Sequence, residues 1–115
     1  MNIDVNKDNK KIRKTSEESL HKFRRVQQKL SIDGYLPKNK EDYTEKMEEE
    51  VRYSNRITSV LQGMCKEESA LLIHRYLNGN GQTYDYIVRN KLGVSERTYY
   101  RIKADALINF HYLAH

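Results

Sequence analysis

The chain has 115 residues, of which 37% are hydrophobic and 32% charged, with one proline and no tryptophan; this points to a small, charge-covered helical protein and away from a large packed enzyme core. Its 21 Lys and Arg against 16 Asp and Glu give a formal charge of +5 and a pI near 9.3, suited to a polyanionic partner. No apolar run approaches the roughly 18 residues that span a bilayer, the first residues lack the apolar core of a secretion signal, and Cys65 stands alone, so the expectation is a reducing, cytoplasmic setting without membrane span, disulfide or Cys-pair metal site.

Residues 1–14 are polar, with Lys7, Lys10, Lys11, Arg13 and Lys14 crowded together. Alone, such a segment has too little apolar surface to offset chain ordering, and it reads as a solvated tail or as a basic arm that reaches phosphates or a minor groove. Thr15 opens the first helix, with Glu18 at capping-box spacing. Leu20, Phe23, Gln27 and Leu30 mark its inner side, and Lys22, Arg24, Arg25 and Lys29 surround them. Gly34 and Pro37 break the chain over 31–39, the best candidate for a hinge. A long helix is expected from about 41 to 63. In it Tyr43, Met47, Val51, Ser54, Ile57 and Leu61 recur at near-heptad steps. Its start is acidic, with Glu41, Asp42, Glu45, Glu48, Glu49 and Glu50, which suits the positive end of a helix dipole and would be repelled by a polyanion.

The next helix spans 66–78, with Glu67 and Glu68 early and Arg75 late. The run 83–113 is the most informative. Tyr84, Ile87, Val88 and Leu92 mark one buried stripe at helical spacing. Gly93 follows, where a helix end often needs a left-handed residue. Ser95 is placed to cap the next helix, Val94 and Tyr99 to staple it, and Glu96 to face its dipole. Beyond the cap, Tyr99, Ile102, Ala106, Phe110 and Leu113 fall on one stripe, while Arg97, Tyr100, Arg101 and Lys103 fall mostly on the other side. This is the sequence form of a helix-turn-helix, whose second helix enters the DNA major groove. A structural helical hairpin with a solvated basic face has the same periodicity.

Residues 93–102, Gly-Val-Ser-Glu-Arg-Thr-Tyr-Tyr-Arg-Ile, followed by Ala106, Leu107 and Phe110, resemble the recognition segment of region 4 in bacterial sigma factors. They resemble more closely the ArpU-type regulators of phages and prophages of Gram-positive bacteria. The matching residues are Arg75-Tyr76-Leu77, then Ser95-Glu96-Arg97, Tyr100-Arg101, Lys103 and Ala106-Leu107, within residues 66 to 110. The resemblance implies a regulator of late phage transcription, acting on genes for packaging, morphogenesis or lysis. It also implies that helix 66–78 supports the helix-turn-helix from behind, with Tyr76 and Leu77 in the core.

The fold class expected is all-α, with a basic arm and first helix over 1–38, the long helix over 39–64, and a C-terminal DNA-binding domain over 65–115. Arg97, Thr98, Tyr100 and Arg101 are assigned to base edges or nearby phosphates of double-stranded DNA, since Arg donates to guanine O6 and N7. Ser95 caps, Lys103 and Arg89 steady the phosphate backbone, and Gln82 or Thr83 meets phosphate at the N-terminus of the first helix. The seam of the long helix has three open uses: packing within the chain, pairing into a homodimer, or presenting its acidic face to host RNA polymerase. No Gly-rich phosphate loop, paired-carboxylate motif or Cys cluster is present, and His111 and His115, four apart, lack a third metal ligand, so neither catalysis nor a cofactor is expected. Two other functions fit the same features: a small terminase subunit that recognises a packaging site, and an anti-activator that binds another regulator.

Overall fold

A computed structural model describes residues 5–78 and 83–115; among these, five α-helices and no strand are found, so the chain is all-α. Helix α1 spans Val5–Leu30. Ile12, Ser16, Leu20, Phe23 and Val26 follow one another at steps of four, four, three and three and form its inner stripe, with Ser16, Leu20, Phe23 and Val26 buried. The helix thus runs well ahead of Thr15, and residues 5–14, expected as a tail or arm, are helical. Tertiary contact supplies what the isolated segment lacks: α1 lies along the last helix, and the fully buried Ser16 hydroxyl donates to the Leu107 carbonyl at 2.6 Å. Thr15 caps nothing. Its hydroxyl donates to the Lys11 carbonyl at 3.0 Å, a bond made inside a helix.

The break over 31–39 contains Gly34 at φ 81, a left-handed turn, and leads into a short 3-10 turn, Lys40–Asp42. Helix α2, Glu45–Gly63, starts later than its acidic composition suggests, because Thr44 caps it by accepting the Met47 N–H at 3.2 Å. The far half of its seam is used inside the chain. Ser54, Ile57 and Leu61 are buried, joined by Val60, against α1 and the last helix. Gln27 donates to the Ser54 hydroxyl at 2.8 Å, and the Tyr53 hydroxyl donates to the Ser19 carbonyl at 2.8 Å, fixing α2 on α1.

Helix α3, Lys66–Leu72, continues into a π-helical turn, Ile73–Leu77, in place of the plain helix that the sequence suggests over 66–78. The wider turn keeps Tyr76 in the core, at 1% exposure, while Ile73 faces out. Helix α4, Asp85–Leu92, and helix α5, Glu96–Ala114, complete the chain. Tyr99, Ile102, Ala106, Leu107, Phe110 and Ala114 of α5 are buried. Leu113, expected on this stripe, is exposed and Ala114 takes the position, because the step from Phe110 is four residues. Side chains from all five helices join one core. The described residues form a slab 21 Å thick, about two helix diameters, so α5 is covered on one side and open on the other.

Candidate nucleic-acid interface

The turn between α4 and α5 is built from local chemistry. Gly93 ends α4 in the left-handed region, at φ 68 and ψ 30, and its N–H donates back to the Arg89 carbonyl at 3.0 Å. Ser95 then caps α5 by accepting the Thr98 N–H at 3.2 Å, and its own hydroxyl donates to Thr98 Oγ1 at 3.0 Å. Val94 packs on the core and Tyr99 is fully buried, as a staple around this cap requires.

Past the cap α5 divides cleanly. Arg97, Tyr100 and Arg101 are exposed on its outer side, while Tyr99 and Ile102 face inward. Tyr100 meets Tyr99 edge to face, with ring centroids 5.2 Å apart, so its orientation is held from below. Thr98 is half-buried and its polar atoms serve the cap. Arg89 leans from α4 toward Glu96, with 3.6 Å between Nη1 and the carboxylate. Thr83 is half-buried, and its N–H donates to the Arg75 carbonyl at 3.3 Å. Gln82 lies outside the described residues.

Lys103 stands apart from the exposed row. Its ammonium contacts both carboxylate oxygens of Asp85, at 3.0 and 3.1 Å, and its side chain is only 15% exposed. Asp85 is a hub that the sequence pattern does not single out. Its Oδ1 also accepts the Tyr99 hydroxyl at 2.6 Å and the Arg75 Nε at 2.9 Å. Four pieces of the C-terminal half are therefore linked through one carboxylate: the π-turn, the first residue of α4, and two successive inner turns of α5. Burial opposes ionisation of Asp85, but the hydrogen bonds from Tyr99 and Lys103, with the charges of Lys103 and Arg75, outweigh it and hold the carboxyl below its usual range. Burial, and then donation to Asp85, push the Tyr99 hydroxyl well above the ordinary tyrosine value.

A second link ties this half to α1. The Tyr76 hydroxyl donates to Glu17 at 2.6 Å, and burial followed by this bond raises its pKa strongly. Arg75 lies over the Tyr76 ring at 4.8 Å. The outer face of α5 is thus displayed on a frame braced from behind by part-buried hydrogen bonds. Tyr84, expected on the buried stripe of the preceding helix, occupies its N-cap position instead and is 69% exposed, stacked on Tyr86 with centroids 5.9 Å apart. Only Val88 of that stripe is fully buried.

No group of three or more His, Cys, Asp or Glu placed to hold a metal occurs among the described residues. No described helix is long and apolar enough to cross a membrane. No protein-family model, curated protein or solved structure matches the chain.

Proposed function

We propose that this chain is a sequence-specific regulator of transcription that binds double-stranded DNA through a helix-turn-helix formed by α4 and α5. The observation that carries the reading is the division of α5. One side is locked into the core and to Asp85, and the other offers Arg97, Tyr100 and Arg101 to solvent from a capped N-terminal end. A recognition helix needs both properties, because bidentate contacts to base edges tolerate little freedom in the backbone that presents them.

In this reading Arg97, Tyr100 and Arg101 reach base edges or adjacent phosphates, and Arg89, beside Glu96, reaches the backbone. Ser95 and Thr98 act by capping. Lys103 becomes a positioning residue, since its charge is paired with Asp85. Gln82 or Thr83 remains assigned to phosphate near the start of α4. The sigma-region-4-like and ArpU-like residues support a role in switching on late phage or prophage genes inside a bacterial host cell. The exposed acids at the start of α2, Glu45, Glu48 and Glu49, suit a basic surface of host RNA polymerase, and they would be repelled by the DNA itself. The role is binding without a cofactor, and catalysis is not part of it.

The test is selection from a pool of random duplexes, followed by anisotropy titrations of the recovered site at several salt concentrations. Recovery of one motif, bound about 10³-fold or more above scrambled duplex, supports the reading. Weak and uniform binding that vanishes as salt rises overturns it.

A further inference from the structure

Helix α1 and α5 do not close on each other along their whole length. Between them runs a groove lined by Lys10, Arg13, Lys14 and Glu17 on one side and by Tyr100, Lys103, Ala104 and Leu107 on the other. Lys10, Arg13, Lys14 and Glu17 fall at steps of three, one and three, so they share one face of α1. The charges in the groove are unequal. Lys103 is paired with Asp85, while Glu17 accepts the Tyr76 hydroxyl at 2.6 Å and keeps its negative charge, so three further cations share the groove with one carboxylate. Lys10, Arg13 and Lys14 form no ion pair with any described residue. The Ser16 bond to the Leu107 carbonyl pins the two helices beside this groove, so the three cations keep their place relative to α5. Tyr100 belongs both to the groove wall and to the exposed row of α5.

We infer that the N-terminal half of α1 is a second DNA-contacting element, in which Lys10, Arg13 and Lys14 hold the phosphate backbone of the same duplex whose bases α5 reads. This deepens the DNA-binding reading and rests on it. The occupant follows from charge and continuity: three cations outside any ion pair, against one carboxylate, on a flank that shares Tyr100 with the reading face, match a run of phosphates. Phosphate contacts of this kind fix register and orientation without carrying sequence information.

The experiment compares the full chain with a K10Q/R13Q/K14Q variant. Glutamine keeps helix propensity near that of Lys and Arg, and circular dichroism verifies the fold. A second variant, K22Q/R25Q/R52Q, removes the same charge from elsewhere on α1 and from α2. The readout is the slope of log affinity against log salt, on the selected site and on scrambled duplex. Every phosphate that the protein no longer neutralises flattens the slope by about 0.9, so the first variant is expected to flatten it by up to about 2.7, equally on both duplexes, and the second hardly at all. An unchanged slope in the first variant, with the parent binding its site, overturns this inference and leaves the DNA reading standing. Equal flattening in both variants overturns it too, since net charge alone would then account for it. Absence of DNA binding by the parent overturns both.

Discussion

Replacing Asp85 with Asn should loosen the frame that holds α5. The substitution keeps the shape and removes the charge that Lys103 and Arg75 surround. Those two side chains are 15% and 14% exposed, and Asp85 itself is 24% exposed, so solvent compensates them only partly. An exposed ion pair is worth about 0–1 kcal/mol, whereas breaking a buried one costs about 3–5 kcal/mol. This partly covered hub, with three donors on one carboxylate, falls between them at about 2 kcal/mol. Unfolding entropy of about 2.1 cal/mol/K per residue over the 115-residue chain gives about 0.24 kcal/mol/K, so Asp85→Asn should lower Tm by about 8 °C. Thermal unfolding followed by circular dichroism at pH 7 measures this, and a pH series checks its cause. Because the folded carboxyl is held below its ordinary value, its contribution is present above the unfolded pKa of about 3.9 and is lost as pH falls through the lower folded value. The gap between the parent and Asp85→Asn should therefore close on acidification. A gap under about 1 °C at pH 7, or one that persists undiminished in acid, would refute the idea that charge at Asp85 braces α5.

Three further outcomes are expected. Arg101→Ala should weaken binding to the selected site by about 1–3 kcal/mol while leaving Tm within about 1 °C, as anisotropy and thermal unfolding will register; equal weakening on scrambled duplex would move Arg101 to the phosphate backbone. Gly93→Ala should cost about 1–2 kcal/mol in denaturant unfolding, since φ is +68 and no atom lies within 4 Å of the added Cβ; Gly93→Asn should recover part of that loss, and an equal cost for both would point away from backbone conformation. Ser16→Ala, which strips the buried bond to Leu107, should cost about 1 kcal/mol in the same assay, and a neutral result would mean that this bond does not hold α1 to α5.

The sequence is most legible where structure is decided locally. Gly93, Ser95 and the Val94–Tyr99 staple each depend on neighbours within five residues, and each takes the conformation its residue type favours. The inner row of α5 is readable down to Phe110 for the same reason. Where distant partners decide, the pattern misleads. Residues 5–14 look too polar to order, yet α5 gives them a surface to lie on, and Ser16 reaches Leu107, 91 positions away. Thr15 and Glu18 have capping-box spacing, but spacing alone does not end a helix that packing continues. Asp85 illustrates the limit most plainly, because its partners lie 10, 14 and 18 positions away on two other elements. The one local sign is an acid at the first position of α4, which reads as an ordinary dipole contact. Lys103 is legible as basic and as part of α5, but its pairing is not, so its residue type alone groups it with side chains that face solvent. Tyr84 sits one position outside α4, where helical spacing no longer says which way a side chain points.

The most direct test of base reading by α5 is methylation interference on the selected duplex, with parent and Arg101→Ala side by side. Methylation at guanine N7 occupies the acceptor that a major-groove Arg requires. One or more guanines are expected whose methylation abolishes parent binding, with the effect at one of them absent for Arg101→Ala. Undiminished parent binding whichever guanine is methylated, or a guanine pattern identical for the two proteins, would contradict it.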